Sequence, residues 1–170
     1  LTLFARFRMK ISVIIPVYNA EKFVTNAVET ALHFDEVFEV ILVEDKSPDK
    51  ALDVCKTLAK KHDRVKLFQH PDKGNHGAGE SRNVGMRNAT GDFIAFLDAD
   101  DFFLPNRFDA ERELFKNPDV DGVYGAIGVH YWSEKAKEQY FNIYQDKLTT
   151  VYKNHPMQNS VLQHLLLHVL

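Results

Sequence analysis

The stretch FIAFLDADD at residues 93–101 constrains the fold of this chain more than any other segment. Its five leading apolar residues follow the turn-forming sequence Thr-Gly-Asp and run directly into acids, which is typical of a short strand buried on both faces. Asp98 and Asp100 are two positions apart, so an extended chain places their side chains on one side. Neighbouring carboxylates repel one another unless a cation lies between them, and such oxygens suit Mg²⁺ or Mn²⁺. Because Asp is also common at strand ends and helix N-caps, this stretch alone leaves both interpretations open.

The composition of the 170-residue chain indicates a globular domain. Its 45% hydrophobic and 12% aromatic residues are typical of a packed core. A net charge of −3 argues against nucleic acid as a partner. The single cysteine, Cys55, excludes an internal disulfide and fits a reducing compartment. No run reaches the roughly 18 apolar residues that a membrane span needs, and residues 1–8 are not expected to be a signal peptide, because they are too few and their charges lie on the wrong side.

Two further apolar runs, at residues 11–17 and 37–43, predict strands that are buried on both faces, and residues 65–68 predict a third, shorter strand. All three lie ahead of the strand at residues 93–97. The run at residues 11–17 is rich in β-branched residues and lacks the alternation of a half-exposed strand. Buried strands of this kind are typical of a parallel sheet.

Helical patterns lie between these strands. Residues 21–34 carry apolar side chains at helical spacing, with Asn19 as the expected N-cap. Ser47 is the expected N-cap of the second helix, with proline at its first position. Further helices are expected at residues 80–89 and 104–115. The alternation predicts the α/β class, with a Rossmann-like, mostly parallel sheet flanked by helices on both faces.

The last third of the chain has weaker patterns. Residues 120–132 have strand character, and residues 139–144 are expected to pair with them as a second strand. Residues 157–170 have a helical pattern that is apolar to its end. This apolar segment would pack on the domain, pair with a second copy in a homodimer, or touch lipid.

Two of the predicted strands end in acids. Glu44 and Asp45 follow the second strand, and Asp98 and Asp100 follow the fourth. Ligands of open α/β sheets bind outside the carboxyl ends of the strands, where these acids would meet. The coincidence favours a nucleotide site at this edge.

Glycine placement excludes two common nucleotide-binding classes. The turn after the first strand, PVYNA at residues 16–20, contains no glycine, so it is neither a dinucleotide-binding turn nor a P-loop. The glycine-rich loop at residues 74–79 would approach a diphosphate through backbone N–H groups at a helix start, or would be a flexible surface loop. The sequence leaves these two interpretations open.

Four motifs in this order resemble those of family 2 glycosyltransferases. They are SVIIPVYN at residues 12–19, VEDKS at 43–47, SRNVG at 81–85 and FLDADD at 96–101. Each is weak alone, but the four together resemble the family over residues 10–125. The resemblance implies a GT-A nucleotide-sugar fold and an inverting, metal-dependent enzyme.

The resemblance implies roles for residues at the first two strand ends. Pro16 and Tyr18 would line the pocket for the nucleotide base, with Asn19 beside them in the nucleotide-sugar site. Asp45 would accept hydrogen bonds from the base or ribose, as the strand-end rule also suggests. Glu44 stands where the family often has Asp and would have a supporting role.

It also implies roles along the third and fourth motifs. Arg82 would face the diphosphate or the loop over it, and Asn83 would brace the same turn. Asp98 would hold the ribose or a water on the metal, and Asp100 would coordinate Mg²⁺ or Mn²⁺ directly. Asp101 would cap the segment that follows.

The mechanism implied is direct displacement at the anomeric carbon, with a carboxylate deprotonating the acceptor hydroxyl. The family's general base usually lies some ninety residues beyond the metal motif, and Glu138 and Asp146 come too early. We therefore assign no catalytic base and expect it beyond Leu170. The chain is expected to be a single GT-A domain, truncated at its C-terminus, with residues 10–125 as the nucleotide-sugar core and 126–170 as the start of the acceptor-side region.

The family context implies a UDP-sugar as the favoured donor and a saccharide or lipid-linked acceptor. Synthesis of a surface polysaccharide or glycolipid would place the protein in the cytoplasm, peripheral to the inner face of the membrane. Two alternatives remain at this point: a nucleotide-sugar-binding module without turnover, and a sugar nucleotidyltransferase. The second normally has a glycine- and arginine-rich loop after the first strand, which PVYNA does not supply.

The histidines carry no metal-binding pattern. His164 and His168 are spaced i, i+4 but lack the intervening Glu of the metalloprotease motif, so they are interpreted as ordinary helix residues. His70, His76 and His130 are expected at the surface or in loops, with His76 of interest because of its glycine-rich loop.

Overall fold

The computed structural model describes residues 9–124, 131, 133–144 and 165–168. In chain order the elements are β1 (Ile11–Val17), α1 (Val24–Leu32), β2 (Val37–Glu44), α2 (Ala51–Lys61), β3 (Val65–Gln69), α3 (Gly77–Asn88), β4 (Phe93–Phe96), α4 (Asp109–Leu114), β5 (Gly122–Tyr124), α5 (Glu134–Tyr144) and β6 (Leu165–His168). In the described part of the chain, no helix combines the length and apolar character that crossing a membrane requires.

The strands form one sheet in the order β3-β2-β1-β4-β6-β5. β1 pairs parallel with both β2 and β4, and β2 pairs parallel with β3. β6 pairs antiparallel with β4. The predicted α/β class with a mostly parallel sheet is therefore confirmed, and the carboxyl ends of β1 to β4 share one edge.

The chain divides into two compact units. The first comprises residues 1–123 with 165–170, and the second comprises residues 124–164. The first unit holds β1 to β4, β6, α1 to α4 and all the site residues described below. The described part of the second unit contains α5.

Helices cover both faces of the sheet, and β1 explains why. All seven of its residues are buried. Val13 and Ile15 belong to a core cluster that includes side chains of α1 and α2, whereas Ile14 belongs to a second cluster that includes Val84 of α3. An unbroken apolar run is what two covered faces require, and each fully buried Val or Ile stabilises the fold by about 1.5–3 kcal/mol.

A glycine lets α3 approach β1 closely. A Cβ built on Gly85 would lie 2.3 Å from Cγ2 of Ile14, far inside van der Waals contact. The absence of a side chain at this position thus sets the distance between α3 and the sheet. It thereby also sets the position of α3 relative to the carboxyl ends of the strands.

A buried carboxylate joins four segments at the opposite end of the strands. Ser12 of β1 lies beside Glu39 of β2 in register, and its hydroxyl donates to Glu39 Oε1 at 2.6 Å. The backbone N–H and the hydroxyl of Thr90 donate to the same oxygen, and Lys66 Nζ of β3 lies 2.5 Å from Oε2. Burial alone raises the pKa of Glu39, but the bonds from Lys66, Ser12 and Thr90 together outweigh it and leave the pKa below its ordinary value.

The segment after β4 is anchored by phenylalanines. Phe108 is fully buried and packs against Phe34 with ring centroids 5.0 Å apart, and Phe103 packs against Phe108 at 5.5 Å. Edge-to-face contacts of this kind add to the stabilisation from burial. They tie residues 102–108 to the end of α1, so α4 begins only at Asp109 rather than near residue 104.

Helix starts differ from the predicted caps. α1 has Phe23 at its N-cap position, and Asn19 lies earlier with a left-handed φ of +52°. α2 has Lys50 at its N-cap position, and Ser47 instead donates its N–H to Glu44. The N–H of Asp101, the expected cap of the segment that follows it, donates to the carbonyl oxygen of Asp98 in a turn. The Ser47 hydroxyl accepts the N–H of Asn19 at 3.2 Å, so this side chain bonds to the neighbouring turn and not to the start of a helix.

Two secondary-structure predictions in the last third are wrong. Residues 139–144 belong to α5, because the preceding EKAKEQ consists of good helix formers that outweigh a short apolar pattern. Within residues 157–170, the described residues 165–168 form β6 and not a helix. A short leucine run fits either state, and pairing with the open edge of β4 selects the strand. The remainder of that segment, most of residues 125–132, His130 and His164 lie outside the described residues.

Candidate functional site

A pocket of about 250 Å³ opens at the carboxyl ends of β1, β2 and β4. Its lining residues come from the turns after these strands and from α3: Pro16, Val17, Tyr18, Asn19, Ala20, Phe23, Asp45, Ala78, Arg82, Asp98, Ala99 and Asp100. The sheet thus brings together most of the residues that the sequence singled out. A larger, open hollow near the C-terminal ends of α1 and α2 contains none of them.

The acids after β4 line this pocket because apolar neighbours fix the turn. Leu97 and Ala99 are buried in the main core cluster, which leaves Asp98 and Asp100 on the accessible side. The N–H of Asp101 donates to the carbonyl oxygen of Asp98 at 3.0 Å and closes the turn. The two carboxylates therefore both contribute to the wall of the pocket.

Arg82 of α3 provides a positive charge in the same pocket. Its Nη2 lies 2.5 Å from Asp98 Oδ1, and its guanidinium lies 6.0 Å from the ring centroid of Phe96. Both members of the pair are partly exposed to solvent. Arg82, for which the resemblance implied a position facing the diphosphate or the loop over it, thus contacts the acidic motif directly.

Asp98 and Asp100 fit a cation that takes only part of its ligands from the protein. In the described part of the chain, no group of three or more His, Cys, Asp or Glu side chains could hold a metal by itself. Mg²⁺ is usually bound by one or two carboxylates, with waters and substrate phosphates completing the shell. The donor set at this pocket matches that pattern.

The turn after β1 forms another wall. Pro16 and Val17 are buried, whereas Tyr18 is 55% exposed and lines the pocket. Asn19 has a left-handed φ, and its N–H donates to Ser47 Oγ at 3.2 Å. The turns after β1 and β2 thus brace each other and present the tyrosine ring, a flat surface suited to a base.

Glu44 belongs to the frame of the pocket. It is buried at the end of β2, and its Oε1 accepts the N–H of Ser47 at 2.6 Å. Its Oε2 accepts Nε2 of Gln69 from β3 at 2.7 Å. Both oxygens therefore hold the turns beside the pocket.

Asp45 holds the first turn of α3. It is only 2% exposed, and its two oxygens accept the N–H groups of His76 and Gly77, each at 2.7 Å. Asn75 Nδ2 donates to its carbonyl oxygen at 2.8 Å. The backbone N–H groups that the glycine-rich loop could offer to a diphosphate at residues 76 and 77 are thus already bonded to Asp45.

Asn83 lies on an outer part of α3. Its Nδ2 donates to Glu80 Oε2 at 2.9 Å, and Arg87 donates to Glu80 Oε1 at 2.7 Å. The hydrogen bond from Arg87, followed by that from Asn83, lowers the pKa of Glu80. Asn83 therefore braces α3 and is not among the residues that line the pocket.

His70 was expected at the surface or in a loop; it lies in the loop after β3, but its ring is buried behind the pocket. It follows β3, and its Nε2 lies 3.0 Å from Ser81 Oγ and 3.3 Å from Asp45 Oδ1. The ring of His76 packs on it with centroids 4.3 Å apart. The sequence signal that could have placed His70 near the site is its position, because it follows a strand that ends at the same sheet edge as the acids.

The fold and pocket define an α/β protein of the GT-A type, with acids and an arginine at the carboxyl edge of its sheet. The chain belongs to the glycosyl transferase family 2, whose family model matches residues 12–167.

Relatives of this chain agree with that membership. An uncharacterized glycosyltransferase of Haemophilus influenzae is 38% identical over 102 residues, covering 59% of this chain and 40% of that protein. The minor teichoic acid biosynthesis protein GgaB of Bacillus subtilis is 38% identical over 112 residues, covering 64% of this chain and 12% of that protein. The crystal structure of S. aureus TarS 1-349 in complex with UDP-GlcNAc matches with a TM-score of 0.59 at 28% identity, covering 72% of this chain and 37% of that chain. The chain spans 40% or less of the length of each of these proteins.

Proposed function

We propose that this chain binds a nucleoside diphosphate sugar, with a UDP-sugar favoured, and serves an inverting glycosyltransferase that transfers the sugar to an acceptor hydroxyl. The observation that carries the proposal is the convergence of Asp98, Asp100, Arg82 and Tyr18 on one pocket at the carboxyl edge of the sheet. Likeness to TarS, whose complex contains UDP-GlcNAc, supports the choice of UDP.

In this proposal the nucleotide base packs on Tyr18, with Pro16 and Asn19 shaping the turn beneath it. Asp45 is compatible with a contact to the base or ribose, because each carboxylate oxygen has a second lone pair beyond the one that its backbone N–H partner uses. Glu44 acts indirectly, through the turns that it holds.

Arg82 and the acids act on the diphosphate. Asp98 and Asp100 would hold Mg²⁺ or Mn²⁺, which would neutralise the departing diphosphate. Arg82 stabilises the negative charge from the side of α3, an electrostatic contribution that needs no movement of protons. The acceptor's proton needs a general base, and we assign that role to none of the described residues.

The wider context follows from the relatives. We propose residues 10–125 as the nucleotide-sugar core and 126–170 as the start of the acceptor-side region, since the described pocket residues all lie in the first compact unit. Likeness to GgaB supports a role in synthesis of a surface polysaccharide or glycolipid, with a saccharide or lipid-linked acceptor. Such a role would place the protein in the cytoplasm, at the inner face of the membrane.

Calorimetric titration tests the donor site. UDP and GDP are titrated with Mn²⁺ and with EDTA, into the wild-type chain, Asp100→Ala and the control Asp92→Ala. Asp92 is an exposed acid at the other end of β4. We expect UDP to bind more tightly with Mn²⁺, the metal effect to vanish in Asp100→Ala, and the control to match the wild type. Failure of both nucleotides to bind under any condition would refute the donor site.

A transfer assay then separates an enzyme from a binding module. The chain is incubated with UDP-sugars, Mn²⁺ and a saccharide or lipid-linked acceptor, and released UDP is measured. Binding of UDP without any release would favour the module.

A further inference from the structure

We propose that His70 is a positioning residue for the nucleotide pocket: it fixes the first half of α3 so that Arg82 projects into the pocket. The identity of the ligand in this inference rests on the proposed function. The structural part of the inference concerns only the ion pair between Arg82 and Asp98. His70 itself is not among the pocket-lining residues, so it acts through α3.

Three segments of the chain meet on the His70 ring. Asp45 comes from the end of β2, Ser81 from α3, and His76 from the loop between β3 and α3. The side chains of His70 and Asp45 are each 3% exposed, and Ser81 is fully buried. Polar groups buried this completely are costly unless they bond to each other, so the cluster has one strongly preferred arrangement.

The contacts identify which nitrogen carries the proton. Asp45 already accepts two backbone N–H groups as a carboxylate, and its Oδ1 lies 3.3 Å from His70 Nε2. A lone pair on Nε2 would face that negative oxygen, whereas an N–H would be attracted to it. Nε2 therefore carries the hydrogen, and Ser81 Oγ accepts it at 3.0 Å.

This bond sets the rotation of α3 about its axis. The buried residues of α3 are Ser81, Val84 and Gly85, so Val84 is the one buried apolar side chain larger than a methyl group. The first half of the helix thus has little apolar anchoring and depends on polar contacts. Arg82 follows Ser81 directly, and rotating or lifting Ser81 would move the guanidinium away from Asp98.

His70→Ala, His70→Gln and Ser81→Ala test the proposal, with His33→Ala as the matched control. Glutamine places an N–H₂ group near the position of Nε2, so it can keep the bond to Ser81. Ser81→Ala removes the acceptor while favouring the helix, and therefore tests the bond even if His70→Ala does not fold. His33 is an exposed histidine at the end of α1 and is not among the residues that line the pocket.

Nuclear magnetic resonance of the Arg82 side chain gives the readout that does not need a nucleotide. The Nε–H signal of Arg82 is assigned by its loss in Arg82→Lys. We expect His70→Ala and Ser81→Ala to shift this signal and speed its exchange with water, and His70→Gln and His33→Ala to leave it as in the wild type. An unchanged Arg82 signal in Ser81→Ala would overturn the proposal even if no nucleotide binds.

The affinity for UDP with Mn²⁺ gives the functional readout. Loss of one buried hydrogen bond should weaken binding about three- to tenfold in His70→Ala and Ser81→Ala, with His70→Gln restoring most of it. In an Arg82→Ala background, His70→Ala should have little further effect, because coupled residues are not additive. Additive losses would show that His70 does not act through Arg82 and would overturn the inference, whereas absence of UDP binding in the wild type would refute the proposed function.

Discussion

Arg82 Nη2 lies 2.5 Å from Asp98 Oδ1, so a guanidinium from α3 and a carboxylate from the end of β4 share one wall of the pocket. Both side chains are partly exposed, and ion pairs at such positions contribute only about 0–1 kcal/mol to folding. The pair therefore does not hold α3 in place. Asp45, Val84 and the close approach at Gly85 do so, together with the proposed bond between His70 and Ser81, and the guanidinium can still exchange Asp98 for a ligand.

Arg82→Ala should weaken binding of UDP with Mn²⁺ by about ten- to a hundredfold, since bonds to charged groups contribute roughly 1.5–3 kcal/mol. Arg87→Ala is the control, because Arg87 is on the same helix and pairs with Glu80 outside the pocket. Calorimetry measures both affinities, and thermal unfolding checks that neither change disturbs the fold. Equal affinities for the two variants would contradict a role for Arg82 in the site.

Cys55 should be unreactive in the folded chain. It is fully buried in α2, and burial, followed by the charges of Glu44 and Asp49, raises its pKa to about 12. Because the thiolate is the reactive form, a thiol reagent at pH 8 should react with no cysteine until the protein unfolds. With urea, one thiol per chain should react. Rapid reaction of the native protein would show that α2 does not cover the sheet as described.

The sequence predicts the strands well because their constraint is local. A strand buried on both faces must be apolar throughout, so β1 is recognisable at residues 11–17 without knowing its neighbours. The acids after β2 and β4 are also recognisable, since parallel strands place their carboxyl ends at one edge. These two rules are enough to locate the pocket.

Other features depend on partners that are distant in sequence. β6 exists because β4 offers an open edge, and the leucine run alone does not specify a strand. His70 is buried because α3 returns across the end of β3 and places Ser81 against it. Asp45 has the position of a ligand-binding acid, yet its oxygens accept N–H groups 31 and 32 residues away, a pairing that only the folded chain reveals.

Gly85→Ala should destabilise the fold and weaken UDP binding together. Its new methyl group would lie 2.3 Å from Ile14 Cγ2, and overpacking typically costs about 1–3 kcal/mol. The higher helix propensity of alanine offsets at most about 1 kcal/mol of this destabilisation. Gly79→Ala on the same helix is a sharp control, since nothing lies within 4 Å of its added Cβ. We expect urea unfolding to give a lower free energy of unfolding for Gly85→Ala and no decrease for Gly79→Ala. Equal free energies of unfolding for the two variants would show that α3 does not pack closely on β1.

Glu39→Gln should destabilise the chain in a way that depends on pH. At pH 7 the change removes the charge that Lys66, Ser12 and Thr90 stabilise, and the expected loss is about 2–3 kcal/mol. The pKa of Glu39 in the folded chain lies below its ordinary value of 4.5, so the unfolded chain binds its proton first as the pH falls. The stability that the ionised carboxylate contributes is therefore fully present above about pH 5. It decreases as the pH falls through 4.5 and below.

The difference in unfolding free energy between wild type and Glu39→Gln should consequently be constant from pH 7 to 5 and shrink at lower pH. Urea unfolding at a series of pH values measures it. Glu113→Gln provides the control, because Glu113 pairs with Lys116 on an exposed surface and its loss should cost little at any pH. A carboxylate that is stabilised in the folded chain stops contributing to stability once it is protonated in both the folded and the unfolded chain. A difference in unfolding free energy that stays constant down to about pH 3, or that grows on acidification, would therefore contradict a buried and ionised Glu39.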